Sequence, residues 1–137
     1  MPTVLIELPG GAGVVRRDDG QIVITQDVSD HRGQSLRGRD DYRPVQTWLD
    51  DVRSIVAGLL PPRAVSAEVV DDRGTRVAAT AAGGVYAAIL GQPNNGHEPV
   101  VCCRDESGAP VPRPLPTDWT RTTVPDAEER CPGCGAI

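Results

Sequence analysis

Phenylalanine and lysine are both missing from this 137-residue chain, and tryptophan and tyrosine occur twice each. Without phenylalanine, any core must be assembled from Val, Leu, Ile and Ala, although a chain of this length can bury roughly two-thirds of its unfolded surface. Without lysine, the glycine-rich run Gly10-Gly11-Ala12-Gly13 cannot be a phosphate-binding loop, which needs Lys-Ser/Thr and a following helix, so the run is read as a turn. All fourteen basic residues are arginine, against nineteen acidic ones, giving a net charge of -5. A general nucleic-acid binder needs concentrated positive charge, so nucleic acid is not the expected partner. Long apolar runs are missing too. Met1 to Pro9 has no basic leader and is broken by Glu7, so neither a signal peptide nor a membrane span is expected and a cytoplasmic location is inferred. In such a reducing setting, four cysteines point to metal ligands or thiols before a disulfide framework.

Turn chemistry and period-2 alternation organise the stretch Ala64 to Val111. Val65, Ala67 and Val69 share one face of a strand that Asp71-Asp72-Arg73-Gly74 reverses, and Thr75 to Ala81 should return antiparallel. Val85 to Leu90 and Pro99 to Arg104 read as further strands, the second closed by Asp105 to Gly108. Upstream, Thr3 to Leu8, Ala12 to Arg16 and Gln21 to Thr25 read as a three-stranded meander with glycine in each turn. Between them, residues 26–43 form a long polar loop. Its His31, Arg32, Arg37 and Arg39 suggest an anion or partner site, but the neighbouring aspartates favour a solvated stretch.

Pro44 to Leu60 carries Val45, Trp48, Leu49, Val52, Ile55, Val56 and Leu59 at three- and four-residue spacing, which predicts an amphipathic helix over 44–60 with Trp48 as a core anchor. The expected fold class is therefore α+β: antiparallel meanders with one helix packed on the sheet, forming a β-rich domain over 1–111. Residues 112–137 form a separate arm in which Pro112, Pro114, Pro116 and Pro125 bias the chain towards polyproline II. Trp119, its only aromatic residue, is read as pinning the arm to the domain.

The chemistry concentrates in Cys102-Cys103 and in the tail Cys131-Pro132-Gly133-Cys134-Gly135. Two residues between thiolates let both sulfurs reach one tetrahedral ion, and the glycines let the backbone fold around it. Cys102 and Cys103 complete a four-sulfur set only if their strand ends or bulges there, because adjacent strand residues face opposite ways. His97 is the alternative ligand, replacing Cys102. Such a site would be structural zinc, holding the arm to the fourth strand of the central stretch, since four protein ligands leave no position for substrate water.

The tail resembles the Cys-Pro-x-Cys-Gly knuckles of zinc-ribbon families, although the second Cys-x-x-Cys of a ribbon is replaced here by Cys102-Cys103. The run Val70 to Tyr86, with Asp71, Gly74, Thr80 and Gly84, resembles carboxypeptidase regulatory-like β-sandwich modules, with the tyrosine displaced by one position. That resemblance implies a small sandwich-like sheet and a binding or structural role. The favoured reading is thus a non-catalytic interaction or accessory protein with a protein partner and a structural zinc site. Alternatives are a zinc- or thiol-redox-responsive regulator, a zinc-ribbon-like nucleic-acid binder, and an enzyme using Cys102 or Cys103 with His97 as base and Asp105 as orienter.

Overall fold

The computed structural model describes residues 3–29, 33–36, 44–50, 52–70, 75–91 and 100–111. These contain twelve β-strands and no helix: β1 (Thr3–Glu7), β2 (Gly13–Arg16), β3 (Ile22–Thr25), β4 (Gln34–Ser35), β5 (Val45–Trp48), β6 (Ser54–Leu59), β7 (Ser66–Val70), β8 (Arg76–Ala78), β9 (Thr80–Ala82), β10 (Val85–Leu90), β11 (Val100–Arg104) and β12 (Pro110–Val111). They make three antiparallel sheets of four strands, in the orders β1-β2-β3-β4, β5-β6-β10-β9 and β12-β11-β7-β8. No helix among the described residues is long and apolar enough to cross a membrane.

Packing stacks the sheets in three layers. One core joins Ile6, Val14 and Ile24 of the first sheet to Val45, Ile55, Ala57, Val85 and Ala87 of the second. The other joins Val56, Tyr86, Ala88 and Leu90 of the second sheet to Ala67, Val69, Val101, Cys103 and Val111 of the third. The second sheet is therefore covered on both faces, and its central strands β6 and β10 are apolar at nearly every position.

The α+β expectation is corrected at this sheet. Residues 44–60 are not a helix: β5 and β6 form a hairpin, paired from Val45↔Ala57 to Trp48↔Ser54. Its tip is closed by Asp50, whose Oδ1 accepts the Val52 and Arg53 N–H groups at 2.9 and 2.8 Å and whose Oδ2 pairs with the Arg53 guanidinium at 2.8 Å. β-Branched Val45, Thr47, Ile55 and Val56 suit the pleat better than a helix interior. The three- and four-residue spacing arises because β6 buries both faces while β5 and the tip add scattered apolar residues. Trp48 is no core anchor: it is 51% exposed, at the hairpin end.

The first meander forms as its glycine-containing turns predict, and β4 adds a two-residue strand from within the polar stretch 26–43. Residues 30–32 and 37–43 of that stretch, with His31, Arg32, Arg37 and Arg39, lie outside the described residues. The Ala64 to Val111 stretch is divided between layers. β7 and β8 pair in the third sheet, the chain crosses at Ala79, and β9 and β10 pair in the second. β11 and β12 then return to the third, where β11 pairs with β7. The arm, residues 112–137, lies outside the described residues.

Candidate cysteine site on the third sheet

β11 runs without a bulge, its register unbroken from Val100↔Val70 to Arg104↔Ser66. Cys102 and Cys103 consequently point to opposite faces. Cys103 sits opposite Ala67 and Val111 and faces the second core, where it is buried as a small apolar residue carrying a thiol. Cys102 sits opposite Glu68, on the other face, which it shares with Val70 and Val100. These three side chains are almost fully buried, yet none belongs to either inter-sheet core.

Cys102 is disulfide-bonded and fully buried. Arg76, on β8 beyond the intervening β7, reaches across the same face and brings Nη1 to 3.9 Å from the Cys102 sulfur. The same nitrogen donates to Glu68 Oε1 at 2.6 Å. A buried sulfur, a guanidinium and a carboxylate thus converge from three adjacent strands. The two ionic side chains keep access to solvent at 44% and 35% exposure, while the sulfur has none. Sequence reading singles out neither Arg76 nor Glu68. The signal that finds them is register: β7 pairs Glu68↔Ala78 and Val70↔Arg76, which puts residues eight apart on one face of the hairpin.

The remaining members of the sequence-derived set, His97, Cys131 and Cys134, lie outside the described residues. Among the described residues, no group of three or more His, Cys, Asp or Glu side chains is placed to hold a metal ion.

Asp105, the orienter of the enzymatic reading, belongs to the β11–β12 turn. Its Oδ1 accepts the Ser107 hydroxyl at 2.6 Å, the Ser107 N–H at 2.9 Å and the Ala109 N–H at 3.0 Å, while Gly108, at φ +86°, completes the reversal. The Ser107 hydroxyl, the Ala109 and Ser107 amides and the nearby Arg63 charge hold its carboxyl below the 3.8 of an ordinary aspartate. A folded pKa below the unfolded one means that the turn is supported above the unfolded value and loses that support as pH falls through the folded value. An NMR titration of the Asp105 carboxyl carbon is expected to give a midpoint below 3.8. Ser107→Ala should move it back towards the ordinary value. An unchanged midpoint in that variant would assign the depression to other groups.

Compared with known protein families, curated proteins and solved structures, the chain matches none.

Proposed function

We propose that this chain is a non-catalytic interaction module, a three-layer β stack whose C-terminal arm is fastened to the outer face of the third sheet by a disulfide from Cys102. The observation that carries the reading is the bonded Cys102 sulfur, buried beside Val70 and Val100 on a face outside both cores. The chain has four cysteines. Cys103 keeps its thiol on the opposite face, so the sulfurs that the same chain offers to Cys102 are those of Cys131 and Cys134.

Chain path supports the same assignment. β12 pairs directly with β11, so the arm departs from Val111 one strand away from Cys102. Held at both ends, its proline-rich segment around Trp119 would form a constrained loop. Such polyproline-biased chain is the kind of ligand that aromatic-lined protein grooves recognise. The cysteine-enzyme reading draws little support. The Cys103 thiol faces a packed core, and the Asp105 oxygen nearest its partners is already engaged by three donors.

Zinc is the competing use of the same sulfur, because Cys102 ligates only as a thiolate, with its disulfide open. Cys103 faces away across the strand, which leaves His97 to join Cys102, Cys131 and Cys134 in such a set. The test is peptide mapping of the native chain without reduction and with thiols blocked, alongside metal analysis. The expected result is a monomer with Cys102 linked to the peptide containing Cys131 and Cys134, and no stoichiometric metal. Cys102 recovered as a thiol with about one zinc per chain would replace the disulfide by the metal. Cys102 linked to a second chain would overturn the arm assignment.

A further inference from the structure

We infer that the β5–β6 hairpin carries a saccharide site, in which the Trp48 indole stacks on one face of a neutral pyranose ring and the Gln46 amide binds its hydroxyls. The site is independent of the Cys102 disulfide. Trp48 is 51% exposed, whereas Tyr86, the other aromatic among the described residues, is buried. A half-exposed indole forgoes the stabilisation that a core would give it, and such residues concentrate where a partner completes the burial.

Trp48 is fixed at its base. Its strand keeps an unbroken register with β6 from Val45↔Ala57 to Trp48↔Ser54, and its carbonyl accepts Gln26 Nε2 at 2.8 Å from beyond β3. One step further on, the Leu49 N–H donates to the Arg53 carbonyl at 2.9 Å. Little backbone order is therefore lost on binding. Alternation puts Gln46 on the same face as Trp48, about 7 Å along the strand, so a ring stacked on the indole brings its hydroxyl rim over the amide. Ser54, opposite Trp48 and 1% exposed, accepts Gln46 Nε2 at 2.8 Å. That bond orients the amide, whose second N–H hydrogen and Oε1 make a donor and acceptor pair. Adjacent sugar hydroxyls, each both donor and acceptor, complement it.

Charge selects the ligand class. The Arg53 guanidinium is paired with the Asp50 carboxylate at 2.8 Å, so the two together offer no net charge to an anion or a cation. An indole flanked by a neutral amide matches a ligand with an apolar face and an uncharged polar rim. A pyranose with equatorial hydroxyls has that form, and its axial C–H bonds carry partial positive charge towards the negative face of the indole. A β-linked glucoside, without an axial hydroxyl, fits best. A proline-rich peptide would need aromatic walls on both sides, and Trp48 is the one exposed aromatic among the described residues.

The test is an NMR titration of the 15N-labelled full chain, with Trp119→Phe to assign the two indole N–H signals. Cellotetraose is the probe, and sorbitol, which has hydroxyls without a ring face, is the control. Expected is a saturable shift of the Trp48 indole and Gln46 side-chain amide signals, with a dissociation constant on the order of 1 mM. Sorbitol should give no saturable shift. Trp48→Ala, followed at the Gln46 amide, should weaken binding at least tenfold, and Gln46→Ala should weaken it about threefold to tenfold.

Trp48 is exposed, so its variant should keep the wild-type far-UV circular dichroism. A Trp48 signal that cellotetraose does not move overturns the site, as does an equal response to sorbitol or an affinity unchanged in Trp48→Ala. An indole signal that moves with protein concentration in the absence of sugar would instead assign Trp48 to contact with a second copy of the chain.

Discussion

Tyr86→Ala is expected to remove about 3–5 kcal/mol of stability, a large share of the 5–15 kcal/mol that typically holds a domain folded. Tyr86 is among the largest fully buried side chains, at 1% exposure, and belongs to the core between the second and third sheets. It lies in β10, opposite Gly58 of β6 and Ala81 of β9, so it also sits at the middle of the most enclosed sheet. Gly58 makes room for its ring. A Cβ at position 58 would meet Tyr86 Oη at 2.5 Å and Cζ at 2.8 Å, closer than nonbonded atoms can approach. Gly58→Ala must therefore push a ring that has no solvent to move into, at a cost of about 1–3 kcal/mol.

The two changes share one volume, so they should not add. With the ring gone, the alanine methyl at 58 fills part of the cavity, and the double variant should lose less than the sum of the single losses. Urea unfolding followed by far-UV circular dichroism reads all three as midpoint shifts at constant slope. A Tyr86→Ala loss below about 1 kcal/mol would mean that the ring does not carry the second core.

The same enclosed sheet explains what the sequence hides. β1, β2 and β3 were legible because glycine marks the reversals between them, and β7 because its residues alternate. β6 has no such contrast: Ile55 and Ala57 face one core and Val56 faces the other, so the strand reads as an unbroken apolar run. Periodicity alone cannot separate such a run from a buried helix. The signals that could have decided it are the β-branched residues around Thr47 and Ile55 and the turn-forming Asp50 between them.

Long-range pairing was hidden for a different reason. Ala79, between β8 and β9, is an ordinary alanine, yet the chain changes sheets there, because the partners of β9 and β10 lie in the second sheet. At the cysteines, alternation alone places Cys102 and Cys103 on opposite faces of a regular strand. Which of them faces the core depends on the pairing with β7, and so does the approach of Arg76 to Cys102.

Opening the Cys102 disulfide is the other change expected to have a large effect, and its size reports on the arm. A bond between Cys102 and either arm cysteine closes a loop of about thirty residues, which in the chain-entropy account restricts the unfolded state by roughly 3.5 kcal/mol. That gain appears in full only if the arm is packed in the native state. An arm that hung loose from its bond would suffer the same restriction folded and unfolded, and the terms would cancel. Cys102, Val70 and Val100 are buried on a face that neither core covers.

Reduction, or Cys102→Ser, is accordingly expected to lower the unfolding free energy by about 3 kcal/mol. Cys103→Ser, which places a hydroxyl in the second core, should cost stability and leave the wild-type response to reductant in place. Urea midpoints with and without dithiothreitol, on wild type and both variants, provide the measurement. A loss near zero in the wild type would leave the arm as a leash without a resting place. A full loss would make the outer face of the third sheet its native seat, so that opening the bond exposes Val70 and Val100 together with the released arm.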